Sequence, residues 1–167
     1  MRAVAIRYFM MTTDPKLADT ITKIIDIDTP PSHVWRVLTD PHAMPAWMSD
    51  EPLEVETRWE IGGPIVLRGI LHGRLRFENR GVVQAFEPGR RLRYTHWNTL
   101  SRRVLADVPE NHAIFSFSLA PSADGTRLTL VLGNLTDQAV YGHLNFYWDI
   151  TLMVLKQFCE AARIPEG

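Results

Sequence analysis

Hydrophobic and polar positions first fall into a clear pattern between Thr20 and Asp28, TITKIIDID. Ile21, Ile25 and Ile27 share one side of a β-branched run there, which predicts a strand. Thr29-Pro30-Pro31-Ser32 follows, with Thr29 the expected cap of a helix whose first turn holds the prolines, where no backbone donor is needed. Val34, Trp35 and Leu38 then recur at helical spacing, Asp40-Pro41 ends that helix, and a second short one runs through Met44 and Trp47. The middle of the chain alternates. Strands are predicted over Leu53–Glu60, Ile65–His72, Arg76–Phe86, Arg91–Trp97, His112–Leu119 and Thr126–Leu132. They are separated by turns at Ile61-Gly62-Gly63-Pro64, Glu87-Pro88-Gly89 and Ser122-Ala123-Asp124-Gly125, and by an irregular loop at Ser101–Glu110. Gly69 is the expected bulge, and Gly69, Gly73 and Gly81 are places where a sheet can bend. The period then changes: Leu144, Trp148, Leu152, Leu155 and Cys159 recur at three and four, predicting one long amphipathic helix from about Asp137 to Ala162.

A sheet with one apolar face has to cover it, and only the last helix is long enough to do so. The expected fold is therefore α+β: a curved antiparallel sheet of about seven strands wrapped round a long C-terminal helix, with two short helices after the first strand. A strongly bent sheet leaves a gap beneath such a helix. Residues 1–19 are read as a flexible lead-in, 20–162 as the domain and 163–167 as a tail. The opening MRAVAIRYFMM is apolar, but Arg7 interrupts it and no A-x-A pattern follows, so it does not read as a secretory signal.

Composition narrows the chemistry. With 167 residues, 46% apolar and 22% charged, the chain is sized and composed for one globular domain. A formal net charge of −1 gives no global attraction to nucleic acid or anionic membrane. No apolar run is long enough to span a bilayer, and the cytoplasm is the expected compartment. The single cysteine, Cys159, cannot form an intrachain disulfide or a cysteine-based zinc site, and its place on the apolar helix face reads as packing. His72, His96, His112 and His143 fall on separate elements without metal-ligand spacing, and His33 and His42 fall near surface turns, so no metal and no cofactor are expected. There is no G-x-S-x-G elbow, and Gly62-Gly63 lacks the lysine and helix of a phosphate loop. The arginines at 74, 76, 80, 90, 91, 102 and 103 stand beside Glu78 and Glu87 without a reader motif, and read as solvated surface.

Several motifs in order resemble one family. They are T-P-P-S-H-V-W-R-V-L-T-D-P at 29–41 with Trp47 beyond, Gly62-Gly63, G-V-V-Q-A-F-E-P-G-R-R-L-R-Y-T-H-W at 81–97, G-T-R-L-T-L at 125–130, and Trp148 followed by L-x-x-L-K at 152–156. Together they resemble the START-like (helix-grip, SRPBCC) superfamily, and within it the bacterial homologues of the activator of the 90-kilodalton heat-shock-protein ATPase. One departure is His96, standing between Thr95 and Trp97 where relatives often run straight from Thr to Trp. The resemblance implies an internal cavity between helix and sheet. Relatives bind lipids, hormones or aromatic metabolites, and some cyclise polyketides.

Sixteen aromatic residues add to this. Trp47, Trp59, Phe77, Tyr94, Trp97, Phe115, Phe117, Phe146 and Trp148 fall on elements that such a fold places round its cavity, although cores of this size also need large side chains. The expected ligand-binding set is Trp47, Trp59, Phe77, Tyr94, His96, Phe115, Phe117, Trp148 and Leu152. Tyr94 and His96 are the polar anchors and the only candidates for acid–base work. Arg68 and His72 either face solvent or stand as polar groups in the chamber; alternation leaves that strand's orientation open. The leading expectation is a binder of a small apolar or aromatic molecule, with no nucleic-acid or membrane partner and a homodimer as the default assembly. The alternatives are a metal-free cyclase or dehydratase of the polyketide cyclase/aromatase type and a co-chaperone-like interaction module.

Overall fold

The computed structural model describes residues 19–99 and 105–161. The proposed lead-in before residue 19 and the tail at 163–167 lie outside the described residues, as does part of the 101–110 loop. Seven antiparallel strands form one sheet in the order β1-β7-β6-β5-β4-β3-β2. They are β1 (Ile21–Ile27), β2 (Leu53–Thr57), β3 (Pro64–Leu71), β4 (Leu75–Glu87), β5 (Arg91–Asn98), β6 (Ala113–Ser122) and β7 (Gly125–Gly133). Two short helices, α1 (Pro31–Thr39) and α2 (Met44–Met48), follow β1, and α3 (Gln138–Ala161) closes the domain. This is the α+β helix-grip architecture expected from the alternation of the strands and the changed period of the tail.

Period-two alternation sets the inner face. Phe115, Phe117 and Leu119 on β6 and Leu128, Leu130 and Leu132 on β7 are all buried. Against them α3 turns Leu144, Trp148, Thr151, Leu152, Leu155 and Cys159. Burial pushes the Cys159 thiol up to about 12, which keeps it a packed, unreactive side chain. Polar ties fix how α3 lies against β1. Lys23 Nζ reaches Asn145 Oδ1 at 2.8 Å and pairs with Asp149, and Lys156 Nζ donates to the Asp26 carbonyl at 2.6 Å.

Several local expectations are corrected. Pro30, not Thr29, occupies the cap of α1, and no side chain caps it. Thr29 is buried and its carbonyl accepts from the Thr126 hydroxyl at 2.7 Å, so its position is set by β7 and not by the helix. Gly69 is not a bulge: it sits in regular register between Leu53 and Phe77, and a Cβ there would lie 2.5 Å from the Phe77 ring. The bulge is on β4 between Val83 and Ala85. Strand β2 stops at Thr57, because Trp59 takes φ 54 and its indole N–H turns to the Thr39 carbonyl at 2.7 Å. His72, also at φ 54, belongs to the β3–β4 turn. It is exposed, and Arg68 is exposed too, paired with Glu56 and Glu78 across neighbouring strands.

The bend of the sheet has a local cause. At Gly81 a Cβ would lie 1.6 Å from the Thr95 carbonyl oxygen, so only glycine lets β4 and β5 approach this closely. Here the β4 backbone turns away from β5 to the Gly62-Gly63 turn: Gly62 N–H donates to Val83 O at 2.8 Å and Val83 N–H to Gly63 O at 2.9 Å. Val82 N–H is satisfied by the Thr95 hydroxyl at 2.9 Å. The β2–β4 half of the sheet therefore curls away from the N-terminal half of α3.

Candidate functional site

That curl leaves a cavity of about 560 Å³. Its apolar walls come from Leu53 on β2, Leu67 and Leu71 on β3, and Phe77 on β4. Phe115 on β6 and Val140, Leu144 and Trp148 on α3 complete them. Polar groups concentrate along the inner edge of β4 and β5: Asn79 opposes Asn98 in the ladder, and Tyr94 and His96 continue the same face of β5. Exposed Leu75, Ala139 and His143 line its opening.

The rings hold one another in place. Phe115 meets Trp148 edge-on at 5.6 Å and Tyr94 at 5.5 Å, and His96 stacks on Phe115 at 4.8 Å with only 21° between planes. Such tilted and offset arrangements are the favoured ones for aromatic pairs.

Hydrogen bonding is unusual here. The indole N–H of Trp148 and the Oδ1 of Asn79 are buried without a partner. Neither the Tyr94 hydroxyl nor the His96 imidazole has a hydrogen-bond partner among the described residues. Buried polar groups are paired in the great majority of cases, and an unpaired one costs about 1–3 kcal/mol. Two such atoms on residues of the cavity wall, with Tyr94 and His96 beside them, therefore call for hydrogen-bonding contents, whether solvent or ligand. By contrast Tyr147, on the same wall, is satisfied, its hydroxyl donating to the Met48 carbonyl at 2.8 Å.

Burial sets the protonation of these groups. It pushes the Tyr94 phenol far up, and Tyr147 up to about 12. Burial, with His143 and His112 nearby, pulls the His96 imidazole down to about 4. All three are neutral at pH 7. Behind them, His112 Nδ1 lies 2.9 Å from Thr95 Oγ1 and His112 Nε2 lies 2.6 Å from Asp107 Oδ1. The Asp107 carboxylate can only accept, which places N–H on Nε2; in the neutral imidazole Nδ1 then accepts from the Thr95 hydroxyl, whose oxygen also accepts from Val82 N–H. This relay braces the bend and does not line the cavity.

Of the residues expected at the site, the cavity wall includes Phe77, Tyr94, His96, Phe115 and Trp148, and also Trp97. It does not include Trp47, Trp59, Phe117 or Leu152. Trp47 is buried under α2, 6.4 Å from Trp148, with its N–H on the Val37 carbonyl. Trp59 stacks on Phe86 at 5.6 Å, beside Trp35. Phe117 and Leu152 are core. Phe146 lies on the outer face of α3 and is 68% exposed. Sequence reading missed Asn79, His143 and Tyr147. Asn79 was legible as a polar residue two positions after Phe77 on one strand face; the α3 residues lie beside the apolar stripe and carried no signal. Among the described residues no group of acidic, histidine or cysteine side chains could hold a metal, and no helix is long and apolar enough to cross a membrane.

Comparison with known proteins agrees with this architecture. Residues 28–160 match the family described as activator of Hsp90 ATPase homolog 1-like protein. No curated protein matches the chain. Among solved structures, a Chromobacterium violaceum protein is 23% identical with TM-score 0.69, over 84% of this chain and 97% of that one. A Cytophaga hutchinsonii protein is 25% identical with TM-score 0.69, over 85% and 94%. The Aha1 dimer from Colwellia psychrerythraea is 19% identical with TM-score 0.65, over 89% and 98%.

Proposed function

The chain belongs to the activator of Hsp90 ATPase homolog 1-like family, on the START-like fold, and from that premise we propose that it binds a small apolar or aromatic molecule in the cavity under α3. The observation that carries this reading is the pair of buried, unpartnered polar atoms, Asn79 Oδ1 and Trp148 Nε1, on residues that line an otherwise apolar chamber. Apolar walls supply affinity in proportion to buried area, about 25 cal/mol per Å², and the few polar groups orient the ligand. Acid–base catalysis of the cyclase type is less well supported. A general base works best with a pKa near the working pH, whereas His96 lies near 4 and Tyr94 far above 7.

Ala113 lies on the wall directly opposite His96 in the ladder, so Ala113→Phe fills the chamber from a rigid strand. Native mass spectrometry of freshly purified protein is expected to show an adduct of about 150–500 Da, a size suited to such a cavity. Folded Ala113→Phe protein is expected to lack it. An adduct retained unchanged by Ala113→Phe places the molecule elsewhere and refutes the reading; so does the absence of both an adduct and any thermal shift with aromatic probes.

A second reading, an interaction surface for another copy of this chain, is favoured by one feature. Phe146, Ile150, Met153 and Val154 form an exposed apolar stripe on α3. Phe146 and Val154 stand four residues either side of Ile150, so a twofold axis through Ile150 sets each against the other's partner. The related Colwellia chain is described as a dimer. Light scattering at micromolar concentration is expected to report a dimer that Ile150→Glu converts to monomer; a monomeric parent protein excludes it.

A further inference from the structure

The binding reading leaves the ligand's charge open, and the cavity wall speaks to it. Among the described residues no Asp, Glu, Lys or Arg lines the chamber. Every polar group on it is a histidine, tyrosine, tryptophan, asparagine or serine. Among the described lining residues a bare ion meets no countercharge to offset its lost hydration, which costs several kcal/mol. Two imidazoles line the chamber: His143 is exposed at the opening, and His96 lies inside, stacked on Phe115. Its stacking on Phe115 at 4.8 Å holds that ring in one plane, and neither nitrogen has a hydrogen-bond partner among the described residues.

Resting on the binding proposal above, we infer that the cavity takes a carboxylic acid with an apolar body, and that the acid enters with one proton held between its carboxyl oxygen and His96. One nitrogen of the neutral imidazole can accept the acid's O–H, while the ring's N–H, which points away from it, is left to another acceptor. Moving the proton onto the ring gives imidazolium and carboxylate, again with zero net charge. In either arrangement the complex holds one more proton than a free carboxylate and a free neutral histidine, so one proton comes from solvent on binding. The groups around His96 fit this count. His112, next to β6, already donates to Asp107 and accepts from Thr95. Asp107 is further paired with Arg80. From α3 come His143 and Tyr147, from β5 Tyr94, and from β4 the uncharged Asn79. His143 and His112 are the groups close enough to oppose a proton on His96. Burial and the nearby His143 and His112 hold the His96 imidazole near 4 when no anion is present, and a carboxylate against it removes that penalty.

Three naphthalene probes of one shape separate the possibilities: 2-naphthamide, 2-naphthoic acid and 2-naphthalenesulfonate, titrated calorimetrically into the full chain at pH 6, 7 and 8. The amide is expected to bind with the same Kd throughout. The acid is expected to weaken about tenfold per pH unit and to take up about one proton, read from the heat in two buffers of different ionisation enthalpy. The sulfonate, which can be met only with the proton on the ring, reports where the proton sits: binding much weaker than the acid's at pH 6 places it on the acid, and binding with one proton taken up places it on His96. His96→Phe keeps the stacked ring and is expected to lower the preference for acid over amide about tenfold at pH 6. Acid binding that is flat with pH, a sulfonate that binds tightly without taking up a proton, or full acid preference with proton uptake in His96→Phe overturns this inference while amide binding leaves the cavity reading standing. Failure of all three probes, the amide included, overturns the cavity reading itself.

Discussion

Replacing His96 by phenylalanine changes how stability depends on pH, and by an amount that follows from its surroundings. Burial lowers the native imidazole from 6.5 to about 4, while the unfolded chain keeps the ordinary value. Between those values the unfolded state binds a proton that the native state refuses, so stability rises with pH across the window and is lost as pH falls through it. At about 1.36 kcal/mol per pH unit, the loss is roughly 1 kcal/mol at pH 5.5 and about 2–3 kcal/mol at pH 4.5. The ceiling is near 3 kcal/mol once the native imidazole titrates as well, roughly the full 2.5-unit gap. Urea unfolding of the parent protein and His96→Phe at pH 7.5, 6.5, 5.5 and 4.5 isolates this term, because the other five histidines are common to both. The variant is expected to gain on the parent progressively below pH 6.5, with unchanged m-values. A difference in stability that stays flat from pH 7.5 to 4.5 shows an imidazole open to solvent, and refutes the argument that burial keeps this wall neutral.

Trp148→Ala is expected to cost about 3–5 kcal/mol in urea unfolding, since a fully buried ring in contact with Trp47, Phe115, Phe117 and Tyr147 is lost and the walls cannot all collapse into the space. Gly81→Ala is expected to destabilise by about 3 kcal/mol or more, because its Cβ meets the Thr95 carbonyl, whereas Gly73→Ala, with φ +70 and open space, costs about 1 kcal/mol by the same melts. Thr95→Val strips the partner from Val82 N–H and from His112 Nδ1 together, and is expected to cost about 1–3 kcal/mol and to speed hydrogen exchange at the Val82 amide. Arg68→Ala, which removes exposed ion pairs only, is expected to leave the urea midpoint where it was.

Alternation along β6 and β7 and the three-four spacing of α3 were enough to place those elements, because period alone decides which face of a strand or helix is apolar. The strands around the opening were harder. On β3 both faces carry leucines or isoleucines, and only the pairing of Arg68 with Glu56 and Glu78 shows which side meets water. Trp59 looked like a strand residue facing the cavity, yet its indole N–H finds the Thr39 carbonyl twenty residues back, a partner that no local pattern names. Trp47 and Phe117 could not be told from cavity residues for a related reason. A large ring at an inward position fills the core or lines a gap according to what stands opposite, and that depends on elements far away in the chain.

What the residues themselves determined is the succession of elements, the apolar face of each and the absence of charge on the inner positions of β5, all consequences of spacing that hold wherever the strands end up. Whether the two layers touch or part was decided only in three dimensions. Gly81 allows β4 to press on Thr95, the β4 bulge follows, and the sheet curls away from the first half of α3. The room left there is a difference between the curvature of a sheet and the straightness of a helix, and curvature accumulates over many strands before it has any size.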